Sequence, residues 1–303
     1  MKKKIFYFLS IFLIIFIPTL LTEAYLKYIG LGDPITYDRN DVYGYSPKPN
    51  QKKKRLNNST VTINDVGLRS IFDWKSNNDK KKIIFFGDSV TYGGSYIDDK
   101  ETFVYLSCKN LKNPQLLCGN AGVNAYGIFN IVFRSRYDLR LSDDHLRIFL
   151  LIPDDFYRGL QNYKTAHFYM NNNKYLFPAI FEALNFLSTK YNLKNFISKR
   201  VNNNYEEMNT KNLINESILI LNAEIQRLKN LNKKFLLFYS PSKNNDDIND
   251  YIFNELNRLI NYEIINLSNY LNDEMFKDSV HYNKLGHKNI SKIISKKINK
   301  ELE

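Results

Sequence analysis

A serine hydroxyl stands at the end of a short apolar run, Ile83-Ile84-Phe85-Phe86-Gly87-Asp88-Ser89. The isoleucine and phenylalanine residues predict a buried parallel strand that ends at the Gly-Asp-Ser step. Ser89 would then lie just beyond the carboxyl end of that strand, the edge at which open α/β sheets bind ligands. Because an unassisted hydroxyl is a weak nucleophile, it needs a base within hydrogen-bond reach.

The segment Asp278-Ser279-Val280-His281 can supply that base from the other end of the chain. Asp278 and His281 precede a predicted helix, so one turn can present both side chains at the same edge. His281 would take the proton of Ser89, and Asp278 would fix the imidazole tautomer and stabilise the imidazolium. An isolated Asp-x-x-His is usually a solvated loop pair, but its combination with Gly-Asp-Ser favours a serine esterase. The other histidines, His145, His167 and His287, are interpreted as structural.

Alternating strands and helices from residue 81 onward must position these groups. The sequence predicts strands at 83–86, 115–118, 146–152, 235–239 and 263–267, and helices at about 101–111, 127–141, 212–231, 248–261 and 283–300. This alternation indicates a parallel sheet with right-handed crossovers. We expect a three-layer α/β/α sandwich of flavodoxin-like topology with a five-stranded parallel sheet, over residues 79–303.

Two further regions are predicted around this domain. Residues 27–78 form an extended N-terminal segment that packs on it, with an edge strand at Thr60–Ile63 and the basic run 52–55 on a solvated loop. Residues from about 156 to 211 are too many for a connection and are crowded with aromatic side chains. This insertion is either a lid or substrate groove beside the strand ends, or it has a core of its own.

The chain begins with Met1-Lys2-Lys3-Lys4 and an apolar run of 17 residues, Ile5 to Leu21. This pattern predicts an N-terminal transmembrane helix over residues 1–26, or a cleaved signal peptide. The lysines would stay in the cytoplasm and the domain would face the periplasm or cell exterior. The net charge of +12 comes from lysines scattered along the chain, so no nucleic-acid partner is expected.

Cys108 and Cys118 lie ten residues apart. In an exported protein they form a disulfide, and otherwise they are two small buried apolar side chains. Two cysteines are too few for a structural zinc site, so no metal is predicted. The phosphate-loop, dinucleotide-loop and His-Glu-x-x-His motifs do not occur, and no cofactor is expected.

Three segments resemble the SGNH (GDSL-type) hydrolase superfamily. A further segment, Asn64-Asp65-Val66-Gly67-Leu68-Arg69 behind the predicted anchor, is similar to exported, membrane-anchored bacterial members of it. Gly87-Asp88-Ser89-Val90-Thr91-Tyr92-Gly93 is similar to the first block, and Asp278-Ser279-Val280-His281-Tyr282-Asn283 resembles the fifth. Asn120-Ala121-Gly122-Val123-Asn124 resembles the second. The resemblance implies a triad of Ser89, His281 and Asp278, with an oxyanion hole that uses the N–H groups of Ser89 and Gly122.

The third block departs from the family pattern, which has Gly-x-Asn-Asp. Here Leu151-Ile152-Pro153-Asp154-Asp155 places Asp154 where an asparagine amide would donate to the oxyanion. Loss of one such donor is worth about 3 kcal/mol. Three alternatives stay open: Asp154 is protonated, Asn124 supplies the donor, or activity is low.

The sequence therefore predicts a serine esterase that hydrolyses an acyl ester, in particular an acetyl ester on a cell-surface carbohydrate. An O-acyltransferase of surface polysaccharide with the same triad is the first alternative, because the acyl-enzyme is common to both. A non-catalytic polysaccharide-binding or assembly factor on the same scaffold is the second.

Overall fold

The apolar runs predicted as parallel strands all enter one sheet. The structure, a computed structural model, describes residues 2–164, 176–190, 203–243 and 246–302. In these ranges the strands are β1 (Tyr37–Asn40), β2 (Gly44–Pro47), β3 (Gln51–Lys54), β4 (Thr60–Ile63), β5 (Lys81–Phe86), β6 (Leu116–Asn120), β7 (Leu146–Leu151), β8 (Lys234–Tyr239) and β9 (Ile264–Asn266). The helices are α1 (Lys2–Tyr28), α2 (Ser89–Tyr92), α3 (Phe103–Leu111), α4 (Ile128–Tyr137), α5 (Pro153–Tyr157), α6 (Pro178–Lys190), α7 (Asn203–Asn230), α8 (Asp246–Leu259) and α9 (Lys284–Leu302).

The main sheet has the strand order β6-β5-β7-β8-β9, and every neighbouring pair is parallel. Numbered along the chain, its strands are therefore arranged 2-1-3-4-5, the flavodoxin-like order. Alternate residues of β5 enter two different core clusters, Ile84 and Phe86 on one face and Ile83 and Phe85 on the other. Because helices cover both faces, the strands carry apolar side chains on both faces instead of alternating. The predicted fold is confirmed.

The N-terminal segment forms two hairpins, β1-β2 and β3-β4, whose apolar side chains join the main core. The edge strand predicted at residues 60–63 is confirmed as β4. The solvated loop predicted at residues 52–55 is wrong. Lys52 to Lys54 belong to β3, and the Arg55 side chain is only 2% exposed in an ion pair with Glu182 of α6. Its partner is 127 residues away, beyond the reach of local sequence pattern.

Helix α1 ends against the insertion. The buried Glu23 carboxylate accepts hydrogen bonds from the main-chain N–H of Ala179 and of Ile180, at 3.1 and 3.0 Å, in the first turn of α6. Within the part of the chain that the structure describes, no helix is both long enough and apolar enough to cross a membrane. The transmembrane helix and the signal peptide stay predictions.

The aromatic side chains of the insertion lie in more than one environment. Phe156 is fully buried in the main core, whereas Phe181 and Phe186 on α6 are 44% and 42% exposed. The rings at positions 168, 169, 175, 191 and 196 lie outside the described residues. The described rings thus do not form a single private core, and a lid or substrate groove stays a prediction.

Cys108 and Cys118 are joined in a disulfide. The bond links α3 to β6, the strand that leads into the segment 120–125 near the predicted nucleophile. Of the two alternatives for these cysteines, the structure has the disulfide.

Candidate active site

Ser89 is presented by a sharp turn between β5 and α2. Asp88 caps the short helix, since its Oδ1 accepts from the Val90 N–H at 2.8 Å. Gly87 leaves no room for a side chain, because a Cβ there would lie 2.1 Å from Thr91 Oγ1 and 2.6 Å from the Leu150 carbonyl oxygen. Gly93, at φ +90°, ends the helix in the left-handed conformation. The result is a serine held at the carboxyl edge of the sheet, as predicted.

The structure brings together the three side chains predicted from the two ends of the chain. His281 Nε2 lies 2.9 Å from Ser89 Oγ, and His281 Nδ1 lies 2.9 Å from each carboxylate oxygen of Asp278. The turn before α9 is held by Asp278 Oδ1, which also accepts from the main-chain N–H groups of Val280 and His281. This geometry suits proton transfer from a hydroxyl to an oriented imidazole.

The electrostatics of the pair favour an ionised aspartate. Partial burial of Asp278 alone would raise its pKa, but the hydrogen bonds and positive charge of His281 outweigh that effect and hold the pKa below its usual value. The carboxylate can then accept the Nδ1–H of the imidazole, while Nε2 faces Ser89 Oγ.

Ser89 Oγ has a second acceptor nearby. Asp88 Oδ2 lies 3.2 Å from it, against 2.9 Å for His281 Nε2. Asp88 is fully buried and shares Oδ2 with the guanidinium of Arg158 at 2.9 Å. The hydroxyl proton can therefore point to either acceptor in the resting site.

The loop after β6 differs from the sequence prediction at Gly122. Its N–H donates to the Asn120 side-chain oxygen at 2.9 Å, and is thus already engaged instead of facing a reacting oxygen. A Cβ at this position would lie 2.3 Å from the Tyr92 main-chain nitrogen, so glycine is required here by the close approach of α2. The Asn120 side chain also connects this loop to α2, since its Nδ2 donates to the Thr91 carbonyl oxygen at 2.7 Å.

Ala125, further along the same loop, has an unusual backbone. Its φ of +64° is the left-handed conformation, which costs free energy for a residue with a side chain. Among the described residues, neither the Ala125 N–H nor the Ser89 N–H has a hydrogen-bond acceptor. Within the described structure both N–H groups therefore lack an internal acceptor, whereas the Gly122 N–H has one.

Asn124 is held by the N-terminal segment. Its carbonyl oxygen accepts from Tyr45 Oη at 2.8 Å, and its side-chain amide donates to Tyr37 Oη at 3.4 Å. The amide is thus directed to Tyr37, and the structure does not support the alternative in which Asn124 replaces the missing oxyanion donor.

Asp154 is not a bare charge facing the site. Its Oδ1 accepts from Tyr157 Oη at 2.5 Å and its Oδ2 accepts from Arg158 Nη2 at 2.9 Å. Both oxygens are therefore already hydrogen-bonded to neighbouring side chains of the protein.

Arg158 is the residue that the sequence interpretation missed. Besides Asp154, its guanidinium contacts Asp88 Oδ2 at 2.9 Å and Asp155 Oδ1 at 3.4 Å. One cation therefore forms ion pairs with three carboxylates. Burial would lower the pKa of Arg158, but these negative charges raise it. Burial and the nearby charge of Asp88 raise the pKa of Asp155 well above its usual value. The available signal was the four-residue spacing of Asp154 and Arg158, which places them on one helix face.

The remaining histidines lie apart from the reacting groups. His287 is buried and its Nδ1 accepts from the Phe103 N–H at 3.1 Å, whereas His145 accepts from the Lys82 N–H at 3.2 Å. Both contacts agree with the predicted structural roles, and His167 lies outside the described residues. In the described ranges, no group of three or more His, Cys, Asp or Glu side chains is arranged to hold a metal ion.

Comparisons with known proteins gave matches to solved structures alone. No family model and no curated protein matches the chain. An acetyl xylan esterase, AlAXEase, is 17% identical with a TM-score of 0.46, and the match covers 72% of this chain and 99% of the AlAXEase chain. The esterase EstA from Pseudoalteromonas sp. is 15% identical with a TM-score of 0.45, and the match covers 74% of this chain and 99% of the EstA chain.

A member of the lipolytic protein G-D-S-L family from Veillonella parvula is 13% identical with a TM-score of 0.36, covering 70% of this chain and 94% of its own. Likenesses at these identities and TM-scores assign neither residues nor a substrate. These three solved structures are thus two esterases and one G-D-S-L family protein.

Proposed function

We propose that this protein is a serine esterase of the SGNH type in which Ser89, His281 and Asp278 form the catalytic triad. The observation that supports this most is the unbroken chain of contacts from Ser89 Oγ through the imidazole to the carboxylate, each 2.9 Å long. These three residues come from opposite ends of the sequence. Their side chains belong to neither core cluster, and those of Asp278 and His281 are 50% and 28% exposed.

The proposed reaction proceeds through an acyl-enzyme. Ser89 Oγ bonds to the ester carbonyl carbon as its proton passes to His281 Nε2, and the tetrahedral intermediate then expels the alcohol, which takes that proton. Water attacks the acyl-serine carbon and gives a proton to Nε2. Release of the carboxylic acid returns the proton to Ser89 Oγ. Asp278 stabilises the imidazolium in both halves of the reaction.

For the oxyanion we propose the N–H groups of Ser89 and Ala125 instead of Gly122. Both are without an acceptor in the described structure, and the strained φ of Ala125 is of the kind that functional loops retain. Ala125→Pro removes the N–H and also excludes the positive φ. Ala125→Gly is the matched variant, because glycine keeps the N–H and can adopt the positive φ. We expect turnover to survive in Ala125→Gly and to fall about 100-fold or more in Ala125→Pro.

The role of Asp154 is tested by Asp154→Asn. Because the carboxylate is already bound to Tyr157 and Arg158, we expect turnover to change by less than about tenfold, well short of the loss of an oxyanion donor. A loss of turnover above about 100-fold would show that the carboxylate has a catalytic role of its own.

Labelling with a fluorophosphonate probe tests the triad directly. The probe phosphonylates an activated serine with loss of fluoride, so we expect labelling of the parent protein at Ser89 and none of Ser89→Ala or His281→Ala. His145→Ala is the matched control, since His145 is an exposed histidine outside the site. Absence of labelling in a folded parent protein would favour the non-catalytic binding factor.

Substrate and location complete the proposal. We propose an acyl ester, in particular an acetyl ester on a cell-surface carbohydrate, and an exported protein whose domain lies in the periplasm or outside the cell. The disulfide supports export, since such bonds persist in oxidising compartments. An O-acyltransferase would use the same acyl-enzyme, and product analysis with a soluble sugar acceptor separates transfer from hydrolysis.

A further inference from the structure

We propose that Arg158 is a positioning residue for the nucleophile: its ion pair with Asp88 keeps the Ser89 hydroxyl directed to His281. This inference rests on the proposed function, because it takes Ser89 as the group that attacks the ester. Arg158 directly follows α5 and lies 70 residues along the chain from Asp88. It belongs to none of the segments from which the triad was predicted.

Two acceptors compete for the single proton of the Ser89 hydroxyl. Its Oγ lies 2.9 Å from His281 Nε2 and 3.2 Å from Asp88 Oδ2. Asp88 is fixed beside the serine, because its other oxygen, Oδ1, accepts from the Val90 N–H at 2.8 Å and caps α2. In the proposed reaction the proton must pass to the imidazole, so a hydroxyl that donates to Asp88 has an unproductive orientation.

The charge of the Asp88 carboxylate favours the unproductive orientation unless it is compensated. A hydrogen bond to a carboxylate is roughly twice as strong as one between neutral groups. Asp88 is fully buried, and Arg158 Nη1 donates at 2.9 Å to Oδ2, the same oxygen that faces Ser89. No other cationic side chain among the described residues pairs with Asp88. The guanidinium therefore weakens Oδ2 as an acceptor for the hydroxyl, and His281 becomes the favoured acceptor.

Three further contacts hold the guanidinium of Arg158 in place. Its Nη1 also donates to the Tyr126 carbonyl oxygen at 3.1 Å and to Asp155 Oδ1 at 3.4 Å, and its Nη2 donates to Asp154 Oδ2 at 2.9 Å. Asp154 stands where the SGNH pattern has asparagine. The carboxylate at that position thus fixes a cation next to Asp88, which the neutral oxygen of an asparagine amide would do more weakly.

A double-mutant cycle on the full-length protein tests whether Arg158 acts through Asp88. Arg158→Met removes the guanidinium and keeps a long unbranched side chain. Asp88→Asn removes the competing charge and keeps an oxygen that can cap α2. We expect Arg158→Met to slow fluorophosphonate labelling of Ser89 about 100-fold when residue 88 is Asp, and less than about threefold when it is Asn, a coupling within the range of residues that share an ion-pair network.

The rate of labelling is the readout because it reports attack by Ser89 and requires no second half-reaction. Arg158→Lys, which keeps the positive charge, should label within about tenfold of the parent protein. Arg258→Met is the matched control, since Arg258 is an exposed arginine that pairs with Glu255, and it should label like the parent. A purely structural role of Arg158 would instead slow labelling by the same factor with Asp or Asn at position 88.

Circular dichroism checks that each variant is folded. If Arg158→Met is not, Arg158→Lys takes its place in the cycle, with a smaller loss expected only when residue 88 is Asp. The inference is overturned if the loss is equal in the two backgrounds or absent from both. A folded parent protein that is not labelled refutes the proposed function and this inference together, whereas a labelled parent with equal losses refutes this inference alone.

Discussion

Asp278 acts on the proposed reaction only through His281, so its contribution is separable from that of the nucleophile. Replacing Asp278 by Asn keeps the size of the side chain but removes the charge that holds the Nδ1–H tautomer. We expect kcat for a small soluble ester to fall about 10³–10⁴-fold. The fall should occur with little loss of stability, because the side chain is half exposed.

Steady-state hydrolysis of p-nitrophenyl acetate measures this effect. The exposed Asp73→Asn, far from the turn, serves as the control for a lost surface charge. A decrease below tenfold in Asp278→Asn would mean that Asp278 does not orient the imidazole.

His287 shows what burial does to a histidine that has no catalytic task. Burial, followed by the charges of Arg69 and His281, lowers its pKa to about 3. In the unfolded chain a histidine titrates near 6.5. Protonation therefore favours the unfolded state, and the stability due to neutral His287 is complete above about pH 6.5 and is lost as the pH falls toward 3. The loss amounts to about 2 kcal/mol at pH 5.

Chemical denaturation at pH 7.5 and pH 5.0 tests this linkage. In His287→Asn the amide oxygen can accept from the Phe103 N–H in place of Nδ1. The variant should start from a lower free energy of unfolding, but its decline between the two pH values should be about 2 kcal/mol smaller than that of the parent. Equal declines in both proteins would contradict the buried neutral imidazole.

At the scale of elements, α6 is attached to the N-terminal segment by buried charges. The Arg55 guanidinium pairs with Glu182, whose Oε2 also accepts from the Gly32 N–H at 2.6 Å. Both side chains are almost fully buried. Glu23 of α1 holds the first turn of the same helix, so that two carboxylates connect the start of the chain to the insertion.

Glu182→Gln should be strongly destabilising. It leaves the Arg55 charge buried and uncompensated, which typically costs about 3–5 kcal/mol. Urea denaturation measures the loss, with the exposed Glu216→Gln on α7 as the control. The double variant Arg55→Met, Glu182→Leu should recover much of the stability, since it removes both charges. If Glu182→Gln unfolds at the same urea concentration as the parent protein, the buried ion pair is not present in solution.

At the scale of the whole molecule, the disulfide bears both on the stability of the fold and on the compartment that we propose for the protein. It closes a loop between residues ten apart, from α3 to β6. A loop of this size is worth about 2–3 kcal/mol of unfolding free energy in the chain-entropy model. Cys108→Ala with Cys118→Ala should lower stability by that amount, and a reductant should destabilise the parent but not the variant.

Thiol alkylation reports the bond in cells. If the protein is exported, Cys108 and Cys118 should resist alkylation in freshly lysed cells until a reductant is added. Free thiols in the mature protein, or a parent protein whose stability a reductant does not change, would count against both the bond and the export that it supports.

The sequence by itself determined the parallel sheet, its strand positions to within about two residues, and the three side chains of the proposed triad. Local patterns suffice for these features. An apolar run predicts a doubly covered strand, and the strand topology then brings Ser89 and the Asp-x-x-His turn to one edge.

Only the tertiary structure decided how the surroundings of the triad are arranged. Gly122 is required for packing against α2, Arg158 neutralises Asp88 from 70 residues away, and Arg55 is buried in spite of the lysines before it. Each of these depends on a contact between residues far apart in the chain. The free energy of such a contact depends on burial and distance, which residue types and local spacing do not contain.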